Sequence, residues 1–208
     1  MPRVLAISGS LRKDSFNTRL LHAVRPLAPE HFKWDWCDGL ADLPVYDQDL
    51  DHAEPPAAVA RFRDAVRQAD GLVIAAPEYN HSISGVLKNA IDWASRPLRD
   101  PPLSGKGIVL VVATVGRTLG FRGLAETTQV LHGLGNIVVP QPEVVVNTAH
   151  SVLGVDDEGR PRLTDPVAEQ LIRVQLKILA DVLEHDMAGV LCRSIAEHWE
   201  TRFAGGRG

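Results

Sequence analysis

The stretch Ser8-Gly9-Ser10-Leu11-Arg12-Lys13-Asp14-Ser15-Phe16-Asn17 lies between an apolar run at residues 3–7 and a segment of helical periodicity at residues 17–25. The apolar run predicts a buried strand, and the spacing after the stretch predicts a helix. The stretch therefore passes from the carboxyl end of a strand to the amino end of a helix. Hydroxyls, an amide and a guanidinium at such a position are suitable donors for a phosphate monoester. On the residues alone, Ser15 or Asn17 could equally serve only as the cap of the helix.

A second polar stretch, Pro77-Glu78-Tyr79-Asn80-His81-Ser82, follows the wholly apolar run Gly71–Ala75. Its proline restricts the backbone, its tyrosine offers an aromatic face, and its amides could hydrogen-bond a flat heterocycle. Taken alone, it could also be an ordinary polar turn, and His81 could either contact a substrate or finish that turn. Gly85, early in the next helix, is expected to permit close approach of another segment.

Apolar runs and helical periods alternate along the rest of the chain. This alternation predicts a doubly wound parallel sheet with helices on both faces and right-handed crossovers. Ligands of such sheets bind at the carboxyl ends of the strands, so both stretches and a third loop at residues 114–123 are expected to meet at one crevice. Strands are predicted at 3–7, 32–37, 71–75, 108–113, 137–139 and 143–146, and helices at 17–25, 57–68, 84–95, 124–131, 165–185 and 187–203.

The last two helices differ in what the sequence predicts for them. The helix at 165–185 is expected to direct Leu171, Val174, Ile178 and Val182 inward. Residues 1–186 are expected to form one domain, and residues 187–208 an additional helix with a flexible glycine-rich tail. Because that helix carries Val190, Leu191, Ile195 and Trp199, it is expected to pack on the domain or on another subunit.

Composition narrows the class of protein. The 208 residues suit one α/β domain, and a net charge of −4 argues against general nucleic-acid binding. No apolar run approaches the ~20 residues of a membrane span, and the opening run is too short for a signal peptide. We therefore expect a cytoplasmic protein without a membrane partner. Cys37 and Cys192 are expected to be reduced structural thiols.

Other catalytic and nucleotide motifs are missing from the sequence. No G-x-G-x-x-G follows the first strand, and Ser104-Gly105-Lys106-Gly107 lacks the remaining residues of a P-loop. The sequence holds no H-E-x-x-H or G-x-S-x-G segment, so neither a metal site nor a hydrolase nucleophile is predicted. Hydride transfer needs no protein acid or nucleophile when a cofactor carries the reactive atoms, and we assign no catalytic side chain.

Together the two polar stretches resemble the NADPH-dependent FMN reductase family of flavodoxin-like proteins, from about residue 3 to residue 183. The first matches the family segment G-S-L-R-K-x-S-x-N, with Asp14 at its variable position. The second continues as P-E-Y-N-H-S-I-x-G-V-L-K-N-A-I-D-W through Trp93, with Ser84 where the family often has proline. The third loop matches less well, because Thr114-Val115-Gly116 stands where the family often has S-P-G.

The resemblance implies a flavodoxin-like fold with a five-stranded parallel sheet and a bound FMN. It implies that the first stretch binds the FMN phosphate, that the second lines the flavin, and that Thr114 keeps a hydroxyl near the ring. The cofactor-binding residues so identified are Ser10, Arg12, Ser15, Phe16, Asn17, Pro77, Glu78, Tyr79, Asn80, Thr114 and Gly116.

The resemblance also implies an activity. An NAD(P)H-dependent FMN oxidoreductase would pass hydride from the nicotinamide to FMN and on to a quinone, an azo compound, a free flavin or a metal ion. The alternative is a flavodoxin-like electron carrier or a flavin-binding regulator without NAD(P)H turnover. Relatives of this kind imply a homodimer or homotetramer. The positive charges of Arg117 and Arg122 favour NADPH over NADH, although Arg122 could equally form a structural ion pair at the following helix and Arg117 could be a solvated loop residue.

Overall fold

The structure is a computed structural model that describes residues 1–116 and 120–203, with side chains described as far as residue 197. The strands are β1 (Arg3–Ser8), β2 (Lys33–Trp36), β3 (Gly71–Ala75), β4 (Glu78–Tyr79), β5 (Ser82–Ile83), β6 (Gly107–Ala113), β7 (Ile137–Val138), β8 (Val144–Val146), β9 (Leu153–Val155) and β10 (Pro161–Leu163). The helices are α1 (Phe16–Val24), α2 (Ala57–Gln68), α3 (Gly85–Ala94), α4 (Phe121–Gly133), α5 (Ala149–Val152), α6 (Pro166–Glu184) and α7 (Met187–Phe203).

The main sheet confirms the predicted flavodoxin-like architecture. Its order is β2-β1-β3-β6-β7, with β8 also paired to β6, and the strand pairs of this sheet are parallel. One face packs against α2, α3 and α4, and the other packs against α1 and α6. The order reverses between β1 and β3, which places the ligand crevice of such a sheet above these two strands.

The fifth position of the sheet is divided between two short strands. Gly107 of β6 pairs with Ile137 of β7, whereas Val111 of β6 pairs with Val144 of β8. β8 thereby brings the segment that follows Val146 to the carboxyl edge of the sheet, beside the end of β6.

Two small antiparallel hairpins and the short helix α5 were not predicted. In the first hairpin, β4 pairs with β5 across Asn80 and His81, whose φ angles are 52° and 66°. Positive φ at both central residues is the geometry of a tight hairpin turn, and asparagine tolerates it better than most residues. The segment is therefore a short strand pair that is closed by a turn at Asn80 and His81. The second hairpin joins β9 to β10.

The predicted inward face of α6 is confirmed at Val182 and wrong at Val174. Val174 is 38% exposed, and Leu171 and Ile178 are only partly buried. Val182 is buried as expected. The buried stripe is set by the close approach of α6 to β6, where Gly107 leaves room for larger side chains. Its members are Ala168, Ile172, Gln175, Leu176, Leu179 and Val182.

The helix α7 forms at the predicted residues, with Ala188 turned into the domain. Three of its four predicted apolar residues, Val190, Leu191 and Ile195, are instead substantially exposed. The side chain of Trp199 and the tail at 205–208 lie outside the described residues. Among the helices of the described ranges, none has the length and apolar character needed to cross a membrane.

Candidate functional site

The first polar loop crosses the second at Gly9, immediately after β1. The Gly9 N–H donates to the Ala75 carbonyl at 2.8 Å, which extends the β1–β3 pairing by one residue. A Cβ atom at Gly9 would lie 2.8 Å from Pro77 Cδ and 3.1 Å from Leu87 Cβ. The close approach predicted at Gly85 is wrong, because a Cβ atom there would meet nothing within 4 Å. The close approach lies at Gly9 instead.

The amino end of α1 offers several donors to the crevice. Ser15 is buried and caps the helix, with its Oγ accepting from the Thr18 N–H at 3.4 Å. The first bond of the helix runs from the Arg19 N–H to the Ser15 carbonyl. The N–H groups of Phe16 and Asn17 precede it and so lie outside the helical ladder. Because α1 has no acidic residue in its first turn, its positive end can bind an external anion.

Arg12 and Ser10 lie in the same loop. The Arg12 guanidinium is exposed and donates to the Asp14 carbonyl at 2.7 Å. Ser10 is half-buried, and its Oγ accepts from the Arg12 N–H at 3.4 Å. A cavity of about 450 Å³ is lined by both residues, by Ser8 and Thr18, and by the end of β2.

The side chain of Asn17 has a structural role. Its amide donates to the Ala113 carbonyl and accepts from the Ala113 N–H, both at 2.9 Å, and the residue is 5% exposed. This pair of bonds fixes the first turn of α1 to the end of β6. Only the backbone N–H of Asn17 is therefore available to a ligand.

The second polar loop is fixed to the first by Ser84. This residue is fully buried and caps α3, and its Oγ donates to the Gly9 carbonyl at 2.6 Å. Ahead of it, Pro77 is buried, whereas Asn80 and Tyr79 are exposed. Two of the predicted flavin-lining side chains thus lie open at the crevice, and the proline packs beneath them.

Glu78 acts within the protein. Its carboxylate is 7% exposed, and Oε2 accepts from three backbone N–H groups at the start of α4. Burial alone raises the pKa of this carboxylate, but the three donors and the His81 ring bring it below its ordinary value. The side chain is an internal anion that caps α4 and shapes the loop. The three donors belong to Gly120 (2.8 Å), Arg122 (3.1 Å) and Gly123 (3.1 Å).

The third loop continues from β6. The Thr114 N–H donates to the Val146 carbonyl at 2.9 Å, and Thr114 Oγ1 accepts from the Gly116 N–H at 3.2 Å. Thr148 runs alongside with φ of 48°, a backbone conformation that is uncommon for a β-branched residue. Arg117 lies outside the described residues, and Arg122 is exposed at the start of α4.

The predicted residues that the structure describes therefore lie in loops at one edge, and two of the residues that join these loops, Gly9 and Ser84, were not predicted as site residues. Gly9 matched the family segment and Ser84 departed from the family pattern, but the partner of each lies far away in the sequence. Exposed apolar side chains surround the same loops: Leu11 (58%), Tyr79 (48%), Val115 (59%) and Phe121 (47%). Donors at one end and an apolar rim at the other fit a ligand with a phosphate and a flat ring, as FMN has.

The family comparison agrees with this geometry. A sequence model described as NADPH-dependent FMN reductase matches residues 2–151. The chain belongs to this family. The matched residues include α1, the hairpin β4–β5 and the third loop, which form the candidate site.

Curated relatives carry names from the same group of enzymes. The chain is 41% identical over 177 residues to an NAD(P)H-dependent FMN reductase of Pseudomonas aeruginosa, covering 85% of this chain and 92% of that protein. It is 40% identical over 161 residues to a 2-hydroxy-1,4-benzoquinone reductase of a Burkholderia species, with coverages of 76% and 84%. A quinone reductase of Escherichia coli K12 is 41% identical over 142 residues, with coverages of 68% and 75%.

Among solved structures, a flavoenzyme NAD(P)H:(acceptor) oxidoreductase of Paracoccus denitrificans superposes with a TM-score of 0.77. It is 27% identical, and the match covers 89% of this chain and 99% of that one. The family therefore identifies this chain as an oxidoreductase that uses FMN together with NADPH or NADH.

Proposed function

We propose that this member of the FMN reductase family binds FMN between its three carboxyl-edge loops and reduces a small acceptor of the quinone type at the expense of NAD(P)H. The observation that carries the proposal is the positive end of α1, which has no acidic residue in its first turn and follows Ser10, Arg12 and Ser15 in the chain. A phosphate monoester there would meet backbone donors, two hydroxyls and a guanidinium.

In the proposed site, hydride acceptance and release are the chemistry that bound FMN supplies. The residues of the chain would bind the FMN and orient its ring. Phe16 and Asn17 would donate their backbone N–H groups to the phosphate, with the hydroxyls and Arg12 around it. Pro77, Glu78, Tyr79 and Asn80 would form one wall of the ring site, Glu78 through its backbone, and Thr114 and Gly116 the other.

The class of electron acceptor is proposed from the apolar side chains around the crevice. Tyr79, Val115 and Phe121 present apolar surface at the crevice, which suits a flat and largely apolar molecule. The names of the Burkholderia and Escherichia coli relatives point the same way, since both are quinone reductases. An azo compound, a free flavin or a metal ion stays a candidate acceptor to be compared with quinones.

We further propose that the chain assembles into a homo-oligomer in the cytoplasm. The exposed apolar side chains of α7 favour a homodimer or homotetramer, since such a stripe is covered in most soluble proteins. Cys37 and Cys192 are free thiols, as expected in a reducing cytoplasm. Sedimentation of a fully active monomer at micromolar concentration would contradict the assembly.

The experiment is an anaerobic titration. Purified protein is loaded with FMN, and the flavin absorbance is followed after NADPH or NADH is added, then after a benzoquinone is added. We expect bleaching by the nucleotide and recovery with the quinone. A protein that binds FMN but is not bleached by either nucleotide would be a carrier or regulator, and one that binds no FMN would refute the site.

Two arginine variants sharpen the assignment. Arg12→Ala should weaken FMN binding by about 1.5–3 kcal/mol, the value of a charge-assisted hydrogen bond. Arg122→Ala should slow flavin reduction by NADPH more than by NADH if its charge selects the phosphorylated nucleotide. Equal rates with both nucleotides in the wild type and the variant would restrict Arg122 to a structural role.

A further inference from the structure

The two loops proposed to hold the cofactor share one junction at Gly9. Its N–H is bonded to Ala75, its carbonyl accepts the Ser84 hydroxyl, and its Cα packs against Pro77 and Leu87. Both hydrogen bonds are short, at 2.8 and 2.6 Å, and the Ser84 side chain is fully buried. A displacement of the first loop therefore displaces the residues that begin and end the second.

The remaining contacts close this junction into a ring of three loops. Glu78 fixes the second loop to the start of α4 at the end of the third loop. Asn17 fixes the first turn of α1 to Ala113, directly before the third loop. Ser84 provides the direct side-chain bond between the phosphate loop and the loop of the ring site.

We propose that Ser84 is a positioning residue that couples the phosphate end of the cofactor site to the ring end, so that occupation of either end strengthens binding at the other. The proposal rests on the FMN site proposed above. It goes further in assigning a role to a residue that touches neither end of the cofactor.

The physical basis is a shared ordering cost. Loops at a ligand site lose conformational freedom when the ligand binds, and a segment that serves both ends needs to be ordered only once. The second ligand then binds an already ordered loop, which appears as positive cooperativity and must be reciprocal. Without the Ser84 hydroxyl, the Gly9 carbonyl is left without its side-chain donor and each loop is ordered separately.

The test divides FMN into two fragments. Inorganic phosphate probes the α1 end, and lumiflavin, the ring without its ribityl phosphate chain, probes the other. Lumiflavin affinity is measured by fluorescence in the wild-type apoprotein, with saturating phosphate and with sodium chloride of equal ionic strength. We expect phosphate to tighten lumiflavin binding on the order of fivefold, the lower end of typical couplings.

Three variants isolate the hydroxyl. Ser84→Ala should bring the phosphate effect on lumiflavin close to onefold, and Ser84→Thr, which keeps the hydroxyl, should restore it. Asp165→Ala removes a helix cap of similar kind from α6, where Asp165 accepts from Val167 and Ala168. It should lower thermal stability and leave the coupling unchanged, which separates loss of a cap from loss of the bond to Gly9.

A second measurement needs no lumiflavin and no folded variant. Phosphate alone should slow amide hydrogen exchange at residues 77–84 of the wild-type protein, as well as at the first turn of α1. Independent binding of phosphate and lumiflavin in the wild type, or a phosphate effect kept in full by Ser84→Ala, would overturn the coupling. Those results together with normal FMN binding would leave the proposed function standing, whereas failure to bind FMN at all would remove both.

Discussion

The two edges of the main sheet use the same kind of internal bond and still differ in what they offer a ligand. At the carboxyl edge, the side-chain amide of Asn17 forms hydrogen bonds with both backbone groups of Ala113. At the amino edge, the buried Asn136 accepts from the Lys106 N–H and donates to the Leu131 carbonyl, both at 3.0 Å. Each asparagine joins two elements, so the buried amides alone do not distinguish the edges.

The two edges differ in whether their charged groups and helix ends are already paired within the protein. At the amino edge, Lys106 Nζ donates to the carbonyls of Ala69 and Arg67 at the end of α2, and its burial lowers the pKa of the ammonium. Asp70 accepts from the Arg3 N–H at 2.7 Å. This edge holds a cavity of about 680 Å³, larger than the one beside the first loop. Free hydrogen-bond donors therefore indicate the position of an anion site better than the size of a cavity does.

The largest effect is expected from Gly9→Ala, which strikes the junction at the carboxyl edge. The new Cβ atom would meet a ring carbon and a backbone oxygen that have little room to move, so we expect a loss of about 1–3 kcal/mol in stability. FMN affinity should fall by about tenfold or more, roughly 1.4 kcal/mol. Gly85→Ala is the matched control, and calorimetry should show it unchanged or slightly stabilised. Unaltered FMN binding in Gly9→Ala would refute the tight crossing.

The next prediction compares the two asparagines directly. Asn17→Ala removes the partner of both backbone groups of Ala113, so it should lower the free energy of unfolding by about 2–3 kcal/mol. Asn136→Ala removes the partner of the Lys106 N–H only, because the Leu131 carbonyl still accepts from the N–H groups of Leu134 and residue 136, and it should cost about 1–2 kcal/mol. Only Asn17→Ala should also weaken FMN binding, because it frees the first turn of α1. Denaturant unfolding and FMN titration on both variants measure this contrast. Equal effects on FMN would show that the two edges are coupled through general stability.

Glu78→Gln is expected to act more mildly. Its three backbone donors lose a charged acceptor, which should destabilise the protein by about 1 kcal/mol at pH 7 and lower Tm by roughly 2–4 °C. Since folding lowers the pKa of Glu78, its contribution is complete above the unfolded pKa and disappears as the pH falls through the folded one. Melting measured in a series from pH 7 down to about pH 3 should therefore show a constant difference above the ordinary glutamate pKa and a shrinking one below it. A difference that stays constant with pH would show that the charge is immaterial.

The smallest effect is expected at the amino edge from Lys106→Met. The variant keeps the stem of the side chain and removes its two bonds to the end of α2, at about 0.5–1.5 kcal/mol each before burial of the methyl group offsets part of the loss. FMN affinity and the rate of flavin reduction should be unchanged. A marked loss of FMN binding in Lys106→Met would show that part of the FMN site lies at the amino edge, against the proposal.

These comparisons show which features the sequence could predict. The strands and helices follow from local periodicity, and the first loop and the P-E-Y-N segment were identified as site loops before their geometry was known. Bonds between distant residues could not be predicted in this way. Ser84 lies 75 positions from Gly9, and Asn17 lies 96 positions from Ala113. Glu78 and Asn17 are both predicted to bind the cofactor, whereas their side chains are bonded to backbone groups of the protein itself.

Local sequence did not predict the inward face of α6 or the hairpin at Asn80 and His81, and the reasons differ. Several apolar stripes are compatible with the sequence of α6, and only packing against Gly107 of β6 selects among them. The hairpin lacks the glycine that usually marks such a turn, because Asn80 and His81 adopt positive φ themselves. Both outcomes depend on tertiary context rather than on local preference.

The carboxylate of Glu78 also gives the crevice a direction. The helices α1 and α4 both begin at this edge, and the amino end of each would attract an anion. The amino end of α4 already holds a carboxylate that belongs to the protein, whereas that of α1 has no acidic group in its first turn. A molecule with one charged end and one flat end therefore has a single favourable polarity, and the reverse placement would bring two negative charges together. The crevice thus discriminates between the two ends of its ligand before any contact with the ring is made.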